Sequence, residues 1–80
     1  MTIQTLGQLE RDCLLLALRR LERGNSNGFD HALWLGFGAD WKHVRDQMVQ
    51  AGYLARQGEA VAATDHGLRL RDSLIGSVAA

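Results

Sequence analysis

The sequence predicts a mainly helical domain with a small two-stranded ribbon, and three observations support this class. Before residue 52, apolar residues recur at helical spacing in three segments, and glycines separate the second segment from the third. Residues 53–63 then form two short apolar runs around a polar turn, and a capped helical segment follows at once. A two-stranded ribbon alone is only marginally stable in water, so it must pack against the helices. We therefore expect one domain that spans residues 1–80.

The composition excludes several classes of protein. Hydrophobic residues make up 46% of the 80 positions, which is enough for one compact core and too much for a disordered chain. No apolar run reaches the ~18 residues of a membrane-spanning helix. The first residues lack the basic start and cleavage site of a signal peptide. Cys13 has no second cysteine for an internal disulfide. We therefore expect a cytoplasmic protein without membrane contacts.

The first helix is predicted from a capping box, in which Thr5 is the N-cap and Gln8 stands three residues later. The helix runs to about Arg23 and stops at Gly24. Leu15 is expected on the opposite side from the main apolar face, where either the C-terminal helix or a second chain covers it or it is a lone exposed leucine. The main apolar face comprises Leu6, Leu9, Cys13, Leu14, Ala17 and Leu21.

The second helix is predicted to be short. Residues 24–28 have the composition of a loop, and Phe29 follows as an isolated apolar residue. Asp30 is the expected N-cap of a helix over residues 31–35. The glycines of residues 36–38 permit the sharp turn that follows. The residues of this helix expected in the core are Ala32, Leu33 and Leu35, with Trp34 at its edge.

The third helix is predicted over residues 40–51, with Asp40 as its N-cap and Gly52 as its stop. Its buried stripe falls at the spacing i, i+3 and i+7, on Trp41, Val44 and Met48. Arg45 flanks this stripe. The opposite side is polar and carries Lys42, His43, Asp46, Gln47 and Gln50.

The ribbon is predicted to pair residues 53–56 with residues 60–63 around a turn at 57–59. Thr64 is the expected cap of the last helix, and Asp65 complements the positive end of its dipole. The apolar side of this last helix comprises Leu68, Leu70, Leu74, Ile75 and Val78.

Three motifs in this order resemble the winged helix-turn-helix superfamily of bacterial transcription regulators. The likeness covers about residues 6 to 76, and the order and spacing of the motifs support it more than any one of them. The motifs are Leu33-Trp34-Leu35-Gly36, Met48-Val49-Gln50-Ala51-Gly52-Tyr53-Leu54 and Ala62-Ala63-Thr64-Asp65-His66-Gly67-Leu68.

The resemblance implies a three-helix core, a two-stranded wing over residues 53–63 and a C-terminal helix. It also implies that residues 40–51 are a recognition helix in the major groove of double-stranded DNA, so that the chain is a DNA-binding transcription regulator. Since one copy offers few phosphate contacts, a homodimer through helix 1, helix 4 or both is expected. The residues in matching positions are Lys42, His43, Gln47 and Gln50, with Arg45 at the margin and Arg56 and Gln57 at the wing tip.

The charge pattern keeps a second hypothesis open, a winged-helix module for protein–protein interaction without direct DNA binding. The nine basic and nine acidic residues give a net charge of zero, whereas DNA-binding domains are usually basic. Asp40 and Asp46 lie on the predicted recognition helix, and Glu59 opposes Arg56 in the wing. The wide apolar surface of helix 1 also favours this alternative.

Neither a catalytic signature nor a metal-binding motif is predicted. The histidines and Cys13 do not follow zinc-ligand spacing, so we expect surface histidines and a buried thiol. We expect no cofactor and no enzyme activity. The basic cluster at the end of helix 1 is expected to interact with the helix dipole, with phosphate contact as the alternative. It comprises Arg19, Arg20 and Arg23.

Overall fold

The computed structural model describes the backbone of residues 6–79 and the side chains of residues 6–76. It confirms a mainly helical chain with one antiparallel two-stranded ribbon. The elements are α1 Gln8–Glu22, α2 Ser26–Phe37, a 3-10 turn Gly38–Asp40, α3 Trp41–Gln50, β1 Leu54–Gln57, β2 Ala60–Ala63 and α4 Asp65–Ala79.

The core lies around α1, which contacts α2, the ribbon and α4. Every helix and both strands contribute buried apolar side chains to it. Within residues 6–76, the largest fully buried side chains are Phe29, Leu14, Leu18, Leu33, Met48 and Leu74. Removing such surface from water is the main favourable contribution to folding of a small domain.

The structure corrects the predicted apolar face of α1. Leu9 was expected in the core but is 65% exposed, whereas Leu18 is fully buried. Leu15 was expected on the opposite side but is half-buried and packs against the core. The expected cap Thr5 lies outside the described residues, and α1 begins after Gly7, whose N–H donates to the Glu10 carboxylate at 3.1 Å.

The second helix begins earlier than predicted, at Ser26, because Asn25 caps it. The Asn25 side chain accepts a hydrogen bond from the Gly28 N–H at 2.9 Å, and the Asn25 N–H donates to the Arg20 carbonyl at 2.9 Å. One residue therefore ends α1 and starts α2. The predicted loop is confirmed for residues 24–25 but not for residues 26–28, which are helical. The predicted Asp30 cap is wrong, since Phe29 and Asp30 lie inside the helix.

The second helix also ends later than predicted. Gly36 and Phe37 belong to it, and the chain breaks at Gly38, which has a φ of +62°. Gly36 serves helix packing, because a Cβ there would lie 2.7 Å from the Cys13 Cβ. Leu35 was expected in the core but is 46% exposed. Asp40 occupies the N-cap position of α3 without a side-chain hydrogen bond.

The ribbon follows α3 through a glycine-dependent helix end. Gly52 has a φ of +86°, and the Tyr53 N–H donates to the Met48 carbonyl at 2.9 Å. This six-to-one hydrogen bond is the Schellman motif, and it turns the chain back toward the helix. In the ribbon Leu54 pairs with Ala63 and Gln57 with Ala60, around a two-residue turn.

Thr64 joins the ribbon, α3 and α4. Its hydroxyl accepts a hydrogen bond from the Gly67 N–H at 3.1 Å, which confirms the predicted cap, and donates to the Gly52 carbonyl. Its own N–H donates to the Tyr53 carbonyl at 3.1 Å. The His66 ring stacks on the Tyr53 ring at a centroid distance of 4.5 Å. Three of these contacts, to Gly52 and Tyr53, hold the start of α4 against the residues that follow α3.

We predict that Gly67→Ala destabilises the protein by about 2 kcal/mol or more, because an added Cβ would lie 2.1 Å from the Tyr53 carbonyl oxygen. Gly76→Ala is the matched control in the same helix, since its added Cβ meets open space. That variant should be neutral or gain up to about 1 kcal/mol from helix propensity. Urea denaturation measures both, and equal effects of the two substitutions would contradict the close approach.

Candidate nucleic-acid interface

The polar side of α3 lies next to the two-stranded ribbon of β1 and β2, which is a β-hairpin. On α3, Lys42, His43 and Gln50 are exposed, while Arg45 and Gln47 are half-buried. At the hairpin, Arg56 and Gln57 are exposed in β1. The Arg56 guanidinium donates to the Asp46 carboxylate at 2.8 Å, which joins the two elements directly. The predicted site residues therefore lie on two adjacent elements.

Trp41 organises the cations at the start of α3. Its ring packs partly against the core. The Lys42 Nζ lies 5.6 Å from the ring centroid, and the Arg45 Cζ lies 5.2 Å from it. Both distances are within the range of cation–π attraction. The aromatic ring thus holds two positive groups near the N-terminal half of the helix.

Two of the three predicted DNA-contacting cations have acidic partners. Arg45 lies 4.0 Å from the Asp30 carboxylate and 3.9 Å from that of Asp46, and Asp46 also binds Arg56. These ion pairs connect α2, α3 and the hairpin. Lys42 has no ion-pair partner among the residues that the structure describes. It is therefore the cation of the set with the greatest freedom to meet an external anion.

The pairing of Asp30 and Asp46 with the cations of this site could not be predicted from the sequence. In the sequence, Asp30 stands at an expected helix cap and Asp46 on the polar side of the third predicted helix. The Asp46–Arg56 pair spans ten residues and two elements, so no helical or strand spacing indicates it. Only the docking of the hairpin on α3 brings these groups together.

The arginines at the end of α1 differ in their surroundings. Arg20 donates to the Gly28 carbonyl at 3.2 Å, while Arg19 and Arg23 are exposed. On α4, Arg71 forms ion pairs with Glu22 and with Asp72. The Arg71–Glu22 pair fastens the C-terminal helix to α1.

Elsewhere on the described surface, α2 presents an exposed tryptophan. Trp34 is 52% exposed and stacks with His31 at a centroid distance of 6.0 Å. Within residues 6–76, no three histidine, cysteine or acidic side chains cluster in a way that suits a metal ion. None of the described helices combines the length and hydropathy needed to cross a membrane.

Cys13 is buried between α1 and α2, and burial raises the pKa of its thiol, with the negative charge of Asp12 as a further cause. A raised pKa means a smaller thiolate fraction at a given pH in the folded chain than in the unfolded one. Burial of the sulfur and the smaller thiolate fraction both reduce its nucleophilic reactivity. The geometry thus agrees with a packing role for this residue.

We predict that Cys13 reacts with a disulfide reagent at pH 8 at least about tenfold more slowly in the native chain than in urea. A cysteine introduced by Ser73→Cys in a Cys13→Ala background is the exposed control, and its rate should change little on unfolding. The absorbance of the released thiolate measures both rates. Rapid reaction of native Cys13 would contradict its burial.

Comparison with known proteins returns no match for this chain among protein-family models, curated proteins or solved structures.

We predict a coupling of about 0.2–1 kcal/mol between Asp46 and Arg56, since both groups are about half-exposed and water screens them. Urea denaturation of Asp46→Asn, Arg56→Gln and the double variant measures it through a double-mutant cycle. Arg69→Gln, combined with Asp46→Asn, is the control pair and should show additive effects. Additivity of the Asp46 and Arg56 substitutions would contradict the contact.

Proposed function

We propose that this chain is a small cytoplasmic winged-helix transcription regulator that binds double-stranded DNA as a homodimer. In this proposal residues 40–51 are the recognition helix and residues 53–63 are the wing. The observation that best supports it is the position of the exposed polar residues Lys42, His43 and Gln50 beside a hairpin fixed to the same helix.

The proposed contacts follow from the chemistry of each side chain. The major groove admits an α-helix, and an amide side chain matches the N6 and N7 atoms of adenine, which suits Gln47 and Gln50. Lys42 is suited to guanine or to a phosphate. His43 would lie against a neighbouring base or phosphate. Arg56 and Gln57 at the hairpin would meet the adjacent backbone or minor groove.

Arg45 has a different part in this proposal from the one expected of it. Its half-buried guanidinium lies between Asp30, Asp46 and the Trp41 ring. From this position it would hold the recognition helix in place and not reach far into a groove. We therefore assign it a positioning role.

Zero net charge makes two copies necessary in this proposal. Typical specific complexes use on the order of 6–10 phosphate contacts, which one copy of this chain does not supply. A symmetric dimer would double the contacts, and it would place two recognition helices about 34 Å apart on successive major-groove turns.

A second candidate function is a winged-helix module that binds another protein. The acidic partners of Arg45 and Arg56 favour it, because they neutralise cations that DNA binding would use. The exposed side chains of Trp34 and Leu35 on α2 favour it as well. Such a module would bind its partner with little dependence on salt.

We predict that the protein binds random-sequence duplex DNA with an affinity that falls steeply between about 50 and 200 mM salt. Lys42→Ala should weaken binding and lower the salt slope by about one per protomer, because one phosphate contact is lost. Fluorescence anisotropy of a labelled duplex of about 30 base pairs measures both, with protein up to about 100 µM to reach nonspecific binding.

Arg69→Ala is the matched control, since it removes one exposed cation from α4 and changes the net charge equally. It should leave the salt slope close to that of the native chain. The absence of duplex binding at low salt would overturn the DNA proposal and favour the interaction module. Equal effects of the two substitutions would overturn the assignment of α3 as the recognition helix.

A further inference from the structure

The outer side of α1 carries a stripe of four residues directly opposite its buried face. Leu9, Asp12, Leu16 and Arg19 follow one another at spacings of three, four and three, which places them in one line along a helix. Leu9 is 65% exposed and Leu16 is 37% exposed. This line, here called the outer stripe, is thus apolar at two positions and charged at the other two.

The outer stripe borders a shallow depression of about 260 Å³. Among the residues whose side chains the structure describes, those that line it are Asp12, Leu15, Leu16 and Arg19 of α1. Leu15 reaches from this depression to the core, where it packs against buried residues. The surface therefore has an apolar centre with an acid at one end and a base at the other.

We propose that the outer stripe is the contact between two copies of this chain, with their α1 helices antiparallel. The two-fold axis would pass beside Leu15 and Leu16, and Leu16 of each copy would enter the depression of the other. This inference specifies the homodimer of the proposed function and rests on that part of it, but it is independent of DNA binding.

The order of the charges selects the antiparallel direction. Asp12 and Arg19 lie at equal distances from the midpoint between residues 15 and 16. An antiparallel pair therefore brings Asp12 level with Arg19 of the second copy, and the symmetry repeats this ion pair. In a parallel pair each Asp12 would face its equivalent and each Arg19 likewise, which is repulsive.

Both charged groups are available for such a contact. Asp12 accepts a hydrogen bond from the Gln8 amide at 2.9 Å through one carboxylate oxygen, Oδ1. Neither Asp12 nor Arg19 forms an ion pair within the part of the chain that the structure describes. An ion pair with a second copy would satisfy both groups at the rim of an apolar contact.

Self-complementarity is the reason for choosing a second copy as the occupant. A two-fold interface uses the same patch on both subunits, so the patch must match itself after rotation. One acid and one base placed symmetrically about a leucine meet this requirement. A single pair of helices buries less than the roughly 1,200–2,000 Å² of a standard interface, so the dimer should form at micromolar or higher concentration.

The experiment compares native protein, Asp12→Arg and the double variant Asp12→Arg with Arg19→Asp. Sedimentation velocity without DNA, between about 10 µM and 1 mM, measures the dissociation constant of each. Asp12→Arg would place an arginine opposite Arg19 of the second copy at both ends of the symmetric contact. This repulsion should weaken the dimer about tenfold or more. The double variant reverses both charges, restores the attraction and should recover the native dissociation constant.

Glu59→Arg is the matched control, because it makes the same charge change at an exposed position in the hairpin turn. It should leave the dimer unchanged, and circular dichroism verifies that every variant is folded. A native chain that stays monomeric at 1 mM would overturn the inference. So would a dimer that Asp12→Arg does not weaken, or one that the double variant does not restore. DNA binding by a protein that fails this test would leave the recognition helix of the proposed function intact.

Discussion

The contact between the first turn of α4 and the chain after α3 is the constraint on which the arrangement of this protein depends. Gly67 allows the helix backbone to approach the Tyr53 carbonyl oxygen, and Thr64 connects the same region through its hydroxyl and its N–H. Without this closure the ribbon would have few supports, and a two-stranded ribbon alone is marginal. The position of the ribbon in turn fixes the side of α3 that faces solvent.

The charges around α3 show how structure and binding compete for the same groups. Asp46 stabilises the docking of the hairpin through Arg56, and Asp30 holds Arg45 beside the Trp41 ring. These ion pairs organise the surface and also reduce its positive potential. In the proposed DNA complex, phosphates would add to this network or displace the carboxylates from it. For Lys42, which packs beside the Trp41 ring, the structural role and the proposed DNA contact do not conflict.

Helix α1 has a double part in the molecule. Its inner face supplies the centre of the core, and Gly36 of α2 packs tightly against it beside Cys13. Its outer stripe is apolar and charged in a symmetric order. If two copies meet there, the small core of each would gain apolar contact that 80 residues alone do not provide, which is a common means of support for small domains.

Local patterns in the sequence determined the helical class, the ribbon, the Thr64 cap and the glycine stop at residue 52, because each depends on neighbouring residues only. The start of α2 was predicted wrongly, because the asparagines and glycines near residue 25 indicate a loop, whereas Asn25 caps a helix that begins at Ser26. Tertiary packing alone decided that Leu18 is buried and Leu9 exposed, because α2, the ribbon and α4 together set the core side of α1. It also decided that Asp46 meets Arg56, since no local spacing relates two groups on elements that touch only after folding.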